Sequence, residues 1–125
     1  MPKYIEREMF RGDSLGFELE LMNPLTGAPL NITGAKFWFT AKNNYVDADE
    51  RAVIRLDTAL LGGVSIVDAA RGLARVDVPP LATRALPDGI VRLVYDVQIR
   101  EAGGSVSTIE SGTIKIYPDV TRAIV

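Results

Sequence analysis

The fold is decided by residues 90–100, Ile-Val-Arg-Leu-Val-Tyr-Asp-Val-Gln-Ile-Arg, in which every odd-numbered position from Val91 to Ile99 is apolar. This period of two is typical of a half-buried β-strand, because a helix would scatter the same side chains around its circumference. Pro87-Asp88-Gly89 precedes the stretch and forms a turn, since proline presets φ and glycine accepts the left-handed conformation. Ala102-Gly103-Gly104 follows it and predicts a hairpin. The sequence therefore predicts a long strand between two turns.

The same alternation recurs on both sides of this stretch. It places Leu15, Phe17, Leu19 and Leu21 on one face of a strand, and Phe37, Phe39 and Ala41 on one face of another. Further short strands are predicted at residues 4–11, 52–56, 64–67, 73–78, 105–110 and 113–117, with an extended piece at 30–34 and a bulge or bend at Gly112. Residues 79–86 form the one predicted helical turn. Seven to nine short strands in a single domain over residues 1–125 predict an all-β, antiparallel β-sandwich, with a small barrel as the alternative.

Composition argues against catalysis. The chain has no histidine and no cysteine, so it lacks the usual general base, the usual zinc ligand and a thiolate nucleophile. We therefore expect no enzyme activity, no catalytic, cofactor-binding or metal-binding residues, and no small-molecule ligand. The net charge of −2 and the scattered basic residues predict no nucleic-acid binding. Charged residues, glycine and proline interrupt every apolar run, which predicts no membrane span, and residues 1–10 do not resemble a secretion signal.

Carboxylates are the remaining chemical candidates. Asp47, Asp49 and Glu50 lie in a polar stretch that we interpret as an exposed, charged loop, and they lack the spacing of a calcium loop. Asp96 shares the even-numbered face of its strand with Arg92 and Arg100, so the pattern predicts a cross-strand ion pair. A hydrolase that uses two of these carboxylates would need both in one cleft.

Aromatic residues form the candidate interaction surface, which comprises Trp38, Tyr45, Tyr4 and Tyr117 together with Ile124 of the apolar terminus. Aromatic side chains dominate the energetics of many interfaces. Trp38 has polar strand neighbours in Lys36 and Thr40. Two interpretations of Trp38 are therefore kept: that it belongs to a contact surface, or that it packs between the sheets. Arg11-Gly12-Asp13 is an adhesion-type tripeptide, but we interpret it as a bend.

Several short motifs carry a resemblance to structural proteins of tailed phages and prophages. They are the segments 11–15, Arg-Gly-Asp-Ser-Leu; 29–35, Pro-Leu-Asn-Ile-Thr-Gly-Ala; 86–99, which begins Leu-Pro-Asp-Gly and contains Tyr-Asp-Val-Gln-Ile; 112–116, Gly-Thr-Ile-Lys-Ile; and 118–122, Pro-Asp-Val-Thr-Arg. Together they resemble the N-terminal domain of phage baseplate upper proteins, and the resemblance covers nearly the whole chain.

The resemblance implies an immunoglobulin-like sandwich in a virion tail, baseplate or neck, assembled in the bacterial cytoplasm. It implies contacts with other virion proteins and with further copies of the chain, and it supplies no catalytic residues. Two alternatives stay open: a carbohydrate-binding module that uses Trp38 and a tyrosine as a stacking platform, and the carboxylate hydrolase.

Overall fold

The computed structural model describes residues 3–59 and 62–120, which form eight β-strands and two short helical turns. The strands are β1 (Lys3–Phe10), β2 (Leu15–Glu20), β3 (Lys36–Lys42), β4 (Ile54–Asp57), β5 (Val64–Asp68), β6 (Leu73–Val78), β7 (Val91–Arg100) and β8 (Val106–Tyr117). The predicted helical turn is present as α1 (Leu81–Arg84), and a 3₁₀ turn lies at Asp49–Arg51. The prediction of an all-β sandwich is confirmed.

The strands are arranged in two sheets. The larger has the order β1-β8-β7-β3-β4, and the smaller has the order β2-β6-β5. All pairs are antiparallel except β1 with β8, which run parallel from Lys3 opposite Glu110 to Phe10 opposite Tyr117. Parallel neighbours need a crossover connection, and here almost the entire chain forms it. The first and last strands of the described chain therefore lie side by side at one edge of the larger sheet.

The core lies between the two sheets and is built from the predicted apolar faces. Phe37 and Phe39 of β3 and Leu93 and Val97 of β7 are fully buried. Phe39 joins the two layers, because its ring lies 5.9 Å from the ring of Phe17 in the smaller sheet. Alternation along each strand thus fixes one face inward and leaves the other face for solvent or partners.

Two turn predictions are confirmed by backbone geometry. Gly72 lies between β5 and β6 with φ of 69°, and Gly89 precedes β7 with φ of 96°. A side chain at either position would be strained in this left-handed region. Gly72 therefore closes the β5–β6 hairpin, and Gly89 lies in the turn that leads into β7.

The prediction for Gly112 is wrong. β8 continues without a break from Val106 to Tyr117, and its bulge lies around Ile109, where Val97 pairs with Glu110 but Gln98 pairs with Thr108. A Cβ at Gly112 would overlap the carbonyl oxygen of Ile5 and lie 2.8 Å from its carbonyl carbon. Glycine is required there because the backbone of β1 approaches closely.

Two other boundaries also differ from the prediction. Residues 30–34 form no strand; Ile32 is buried there, and its N–H donates to the Ala69 carbonyl at 2.9 Å. β4 begins at Ile54 rather than at residue 52. A short apolar run predicts that a segment is buried more reliably than it predicts that the segment pairs with a strand.

The bend at Arg11-Gly12-Asp13 is confirmed, since Gly12 has φ of 81°. The Arg11 side chain is only 8% exposed and reaches across the fold. It donates to Asp119 Oδ1 at 2.7 Å, to the Leu86 carbonyl at 2.8 Å and to Asp88 Oδ1 at 3.1 Å. Three of the phage-like motifs therefore meet at one arginine, which acts as an internal clamp rather than a displayed adhesion residue.

Candidate functional site

The outer face of the larger sheet holds three of the five predicted interaction residues, Tyr4, Trp38 and Tyr117. We use "outer face" for the even-numbered residues of β1, β3 and β7, the odd-numbered residues of β8 from Ser111 onward, and Thr108, Arg55 and Asp57. Its aromatic members are Tyr4, Phe10, Trp38 and Tyr117. This face is continuous across five strands because the register keeps these residues on one side.

A groove of about 590 Å³ is formed on this face by β3, β4, β7 and β8 together with the loop before β4. Its aromatic walls are Trp38 and Tyr45. Its polar lining includes Thr40, Lys42, Asp49, Arg55, Asp96, Gln98, Arg100 and Thr108. The two aromatic residues named from the sequence thus share one site, together with several polar groups.

Trp38 is half-buried and faces outward, so it does not pack between the sheets. Its strand is the second from the edge, with β7 on one side and β4 on the other. The Arg100 guanidinium carbon lies 5.8 Å from the centre of the Trp38 ring, at the outer range of a cation–π contact. Tyr45 is 75% exposed. The groove therefore presents an accessible aromatic platform.

The other candidate residues lie elsewhere on the outer face. Tyr4 pairs with Ser111 on β8, in the same row as Asp96, whereas Tyr117 pairs with Phe10 with their rings 5.6 Å apart. Tyr4 and Phe10 are six residues apart, about 20 Å along a strand. They therefore mark opposite ends of β1. Ile124 lies outside the described residues.

Asp96 does not form the predicted ion pair. Within residues 3–59 and 62–120 it has no hydrogen bond or salt bridge, and Arg100 is directed over Trp38 instead. The register sets Asp96 between Thr40 and Ser111. Burial raises the pKa of its carboxyl above the ordinary value, while nearby Lys42 lowers it and Asp49 raises it further. Asp96 is thus a half-buried acceptor without a protein partner at the base of the groove.

Asp49 has a different environment. Lys42 donates to its carboxylate at 2.8 Å and also to the Asp47 carbonyl at 2.8 Å. This ion pair lowers the pKa of Asp49, whose side chain is 66% exposed. The groove therefore contains two carboxylates, but one of them is tied to a lysine.

A buried polar cluster that was not predicted from the sequence lies beneath β1. Arg7 Nη2 donates to Glu110 Oε2 at 2.9 Å, and the Tyr95 hydroxyl lies 2.7 Å from that oxygen and 2.9 Å from the Ile5 carbonyl oxygen. The Arg7 guanidinium also lies 3.5 Å above the centre of the Phe17 ring. Burial raises the pKa of Tyr95. The cluster fastens β1 to β8 and so fixes the positions of the aromatic side chains on the outer face.

The opposite surface, on the smaller sheet, has a different character. Its outward residues include Glu18, Glu20, Arg75 and Asp77, and Arg75 donates to Asp77 at 2.9 Å. Neither surface holds a group of three or more potential metal ligands among the residues that the structure describes. No helix in the described part of the chain is long and apolar enough to cross a membrane.

No family model and no curated protein matches the chain. Among solved structures, the N-terminal domain of phage TP901-1 ORF48 aligns over 95% of this chain and 90% of its own, with 14% identity and a TM-score of 0.45. AggA, the major subunit of aggregative adherence fimbriae type I from Escherichia coli, aligns over 95% of this chain and 91% of its own, with 14% identity and a TM-score of 0.32. At these TM-scores and identities, neither structure indicates the function of this chain.

Proposed function

We propose that this chain is a non-enzymatic structural protein of a tailed-phage or prophage virion, in the tail, baseplate or neck, assembled in the cytoplasm of the bacterial host. Its motifs support this proposal, because segments 11–15, 86–99 and 118–122 resemble phage structural proteins and contribute to the Arg11 clamp. It acts through protein–protein contacts with other virion proteins and with further copies of itself.

The observation that carries the proposal is the exposure of aromatic side chains along β1 on the outer face. Tyr4 is 61% exposed and Phe10 is 53% exposed. Large aromatic side chains left in solvent on a rigid strand are typical of contact surfaces, where they contribute most of the binding energy. The smaller sheet presents charged residues such as Glu18 and Glu20 and exposed aliphatic residues such as Val67, but no exposed aromatic side chain among its described strands.

The contact is expected to use the face of the sheet rather than the edge. β1 is an edge strand, and two copies could in principle pair antiparallel through it. If the same face of both sheets is aligned, the residue at the centre of the pairing lies opposite its own copy. Each register centred on the middle of β1 then places like charges opposite each other: Glu6 to Glu6, Arg7 to Arg7, or Glu8 to Glu8. Like charges directly opposite each other destabilise a strand pair. The edge is therefore protected against self-pairing, and the aromatic side chains remain available.

The test is quantitative mass spectrometry of purified particles from the source strain, combined with light scattering on the purified chain. We expect the chain in particles at a fixed copy number. The double variant Tyr4→Ser/Phe10→Ser should fold but should be lost from particles, whereas Val67→Ser, an exposed site on the smaller sheet, should be retained. A chain that is absent from particles and strictly monomeric would overturn the proposal.

A further inference from the structure

We propose that the groove on the outer face is a saccharide-binding site, in which Trp38 stacks on a sugar ring and Asp96 accepts hydrogen bonds from its hydroxyl groups. This site is separate from the aromatic pair Phe10 and Tyr117, and the proposal does not depend on the virion role.

The groove has the dimensions of a ligand site. Its volume of about 590 Å³ lies within the range of roughly 300–1,000 Å³ found for small-molecule pockets. Trp38 and Gln98 are direct neighbours in one row of the sheet, and Thr40, Asp96 and Arg55 form an adjacent row. Diagonal neighbours in adjacent rows are about 7–8 Å apart. A single sugar ring on Trp38 can therefore reach the carboxylate of Asp96.

Asp96 is the feature that folding does not explain. Among the described residues no buried side-chain oxygen lacks a hydrogen-bond partner, so the Asp96 carboxylate reaches solvent in the groove, while partial burial of the residue disfavours its ionised form. Groups that lower stability in this way occur preferentially at functional sites. A ligand that donates hydroxyl groups would replace water as the partner of this carboxylate.

The chemistry around Asp96 fits a polyhydroxylated ligand. Sugar hydroxyl groups both donate and accept, and the groove offers an acceptor in Asp96 and donors in Arg55 and Gln98. The apolar C–H face of a sugar ring matches the Trp38 ring, which is the usual way an aromatic side chain provides a flat, amphipathic contact.

Two other ligand classes fit less well. An extended peptide gains most of its affinity by pairing with a free strand edge. β3 and β7 have hydrogen-bonded neighbours on both sides, and the edge strand β4 has only 4 residues, of which Asp57 already bridges to Gly63. A nucleic acid needs concentrated positive charge, but Lys42 is paired with Asp49, and the Asp96 carboxylate would face the phosphates.

The experiment uses the fluorescence of Trp38, which is the only tryptophan of the chain and therefore reports on the groove alone. The purified protein is screened on a glycan array, and each glycan that binds is titrated while Trp38 emission is followed. We expect saturable binding that shifts the emission. Asp96→Asn should weaken it by about tenfold or more, since a hydrogen bond to a charged group contributes about 1.5–3 kcal/mol. Val67→Ser, on the smaller sheet and outside the groove, should leave the affinity unchanged, and unfolding curves confirm that each variant folds.

Several results would overturn the proposal. They are the absence of any glycan that binds, binding that Asp96→Asn and Trp38→Ala leave unchanged, or a peptide that shifts Trp38 emission where no glycan does. Cleavage of a bound glycan would keep the saccharide site and overturn the non-enzymatic role. Absence of the chain from particles together with a strictly monomeric state would overturn the virion role and leave the groove assignment intact.

Discussion

Replacing Gly112 by alanine tests the packing of β1 against β8. The new Cβ would overlap the Ile5 carbonyl oxygen and lie 2.8 Å from its carbon and 3.1 Å from the Tyr95 ring. Backbone atoms cannot swing aside as a flexible side chain can, so β1 must retreat by on the order of 1 Å. The hydrogen bond from the Tyr95 hydroxyl to Ile5, now 2.9 Å, would then exceed the usual limit.

Gly112→Ala is expected to lower the free energy of unfolding through the hydrogen bonds that it breaks. Loss of the Tyr95 hydrogen bond and of about two neighbouring ladder hydrogen bonds, at about 1 kcal/mol each, destabilises the fold by about 3 kcal/mol. Alanine also reduces the entropy of the unfolded chain, which offsets about 0.4–1 kcal/mol. Gly112 has no positive φ, so backbone strain adds nothing. The net loss in the free energy of unfolding is about 2 kcal/mol.

The assay is urea unfolding followed by circular dichroism, with hydrogen exchange of the β1 amides as a local probe. Gly103→Ala is the matched control, because no atom lies within 4 Å of its Cβ and its φ is not positive. The control should change stability by no more than about 1 kcal/mol. If Gly112→Ala stays within 0.5 kcal/mol of the parent, as a surface change commonly does, and β1 exchange is unaltered, the close approach of β1 is refuted.

Three further changes probe the charged groups. Glu110→Gln leaves the Arg7 guanidinium without its carboxylate and should cost about 3–5 kcal/mol in urea unfolding, with part of this loss recovered when Arg7→Met is added. Arg11→Lys should lower the melting temperature in calorimetry nearly as much as Arg11→Ala, because an ammonium cannot reproduce the fork geometry that reaches Asp119 and two other acceptors. Asp96→Asn should raise the free energy of unfolding at neutral pH, since the raised folded-state pKa makes the ionised carboxylate unfavourable in the fold. This gain should disappear as pH falls through that raised pKa toward 3.8. A gain that is constant with pH would contradict the assignment.

The sequence predicted the architecture because its main determinants are local. Alternation in β2, β3 and β7 identified the buried faces, and turn chemistry placed the β5–β6 hairpin at Gly72 and the turn before β7 at Gly89. These signals depend on single strands and single turns. They can therefore be recognised in the sequence without knowledge of which strands are neighbours.

Features that depend on tertiary neighbours were not predictable. The parallel docking of β1 explains Gly112, and the bulge at Ile109 sends Glu110 into the core toward Arg7. Trp38 and Tyr45, two of the residues predicted to form an interaction surface, line one groove, and their role in binding stays a prediction. The polar lining of this groove was missed because Arg55 of β4 meets Asp96 and Gln98 of β7 only through the pairing of both strands with β3. The distance between Tyr4 and Tyr117 depends on the strand pairing and could not be derived from the sequence.

Hydroxyl-radical footprinting would show whether the outer face of the larger sheet is the contact surface in the particle. The chain is labelled free in solution and within purified particles, and modification is compared at individual side chains. We predict protection of Tyr4, Phe10 and Tyr117 in the particle, with Leu25 and Val67, which are exposed away from this face, labelled equally in both states. Unchanged labelling at the three aromatic residues, or protection confined to Leu25 and Val67, would contradict the claim.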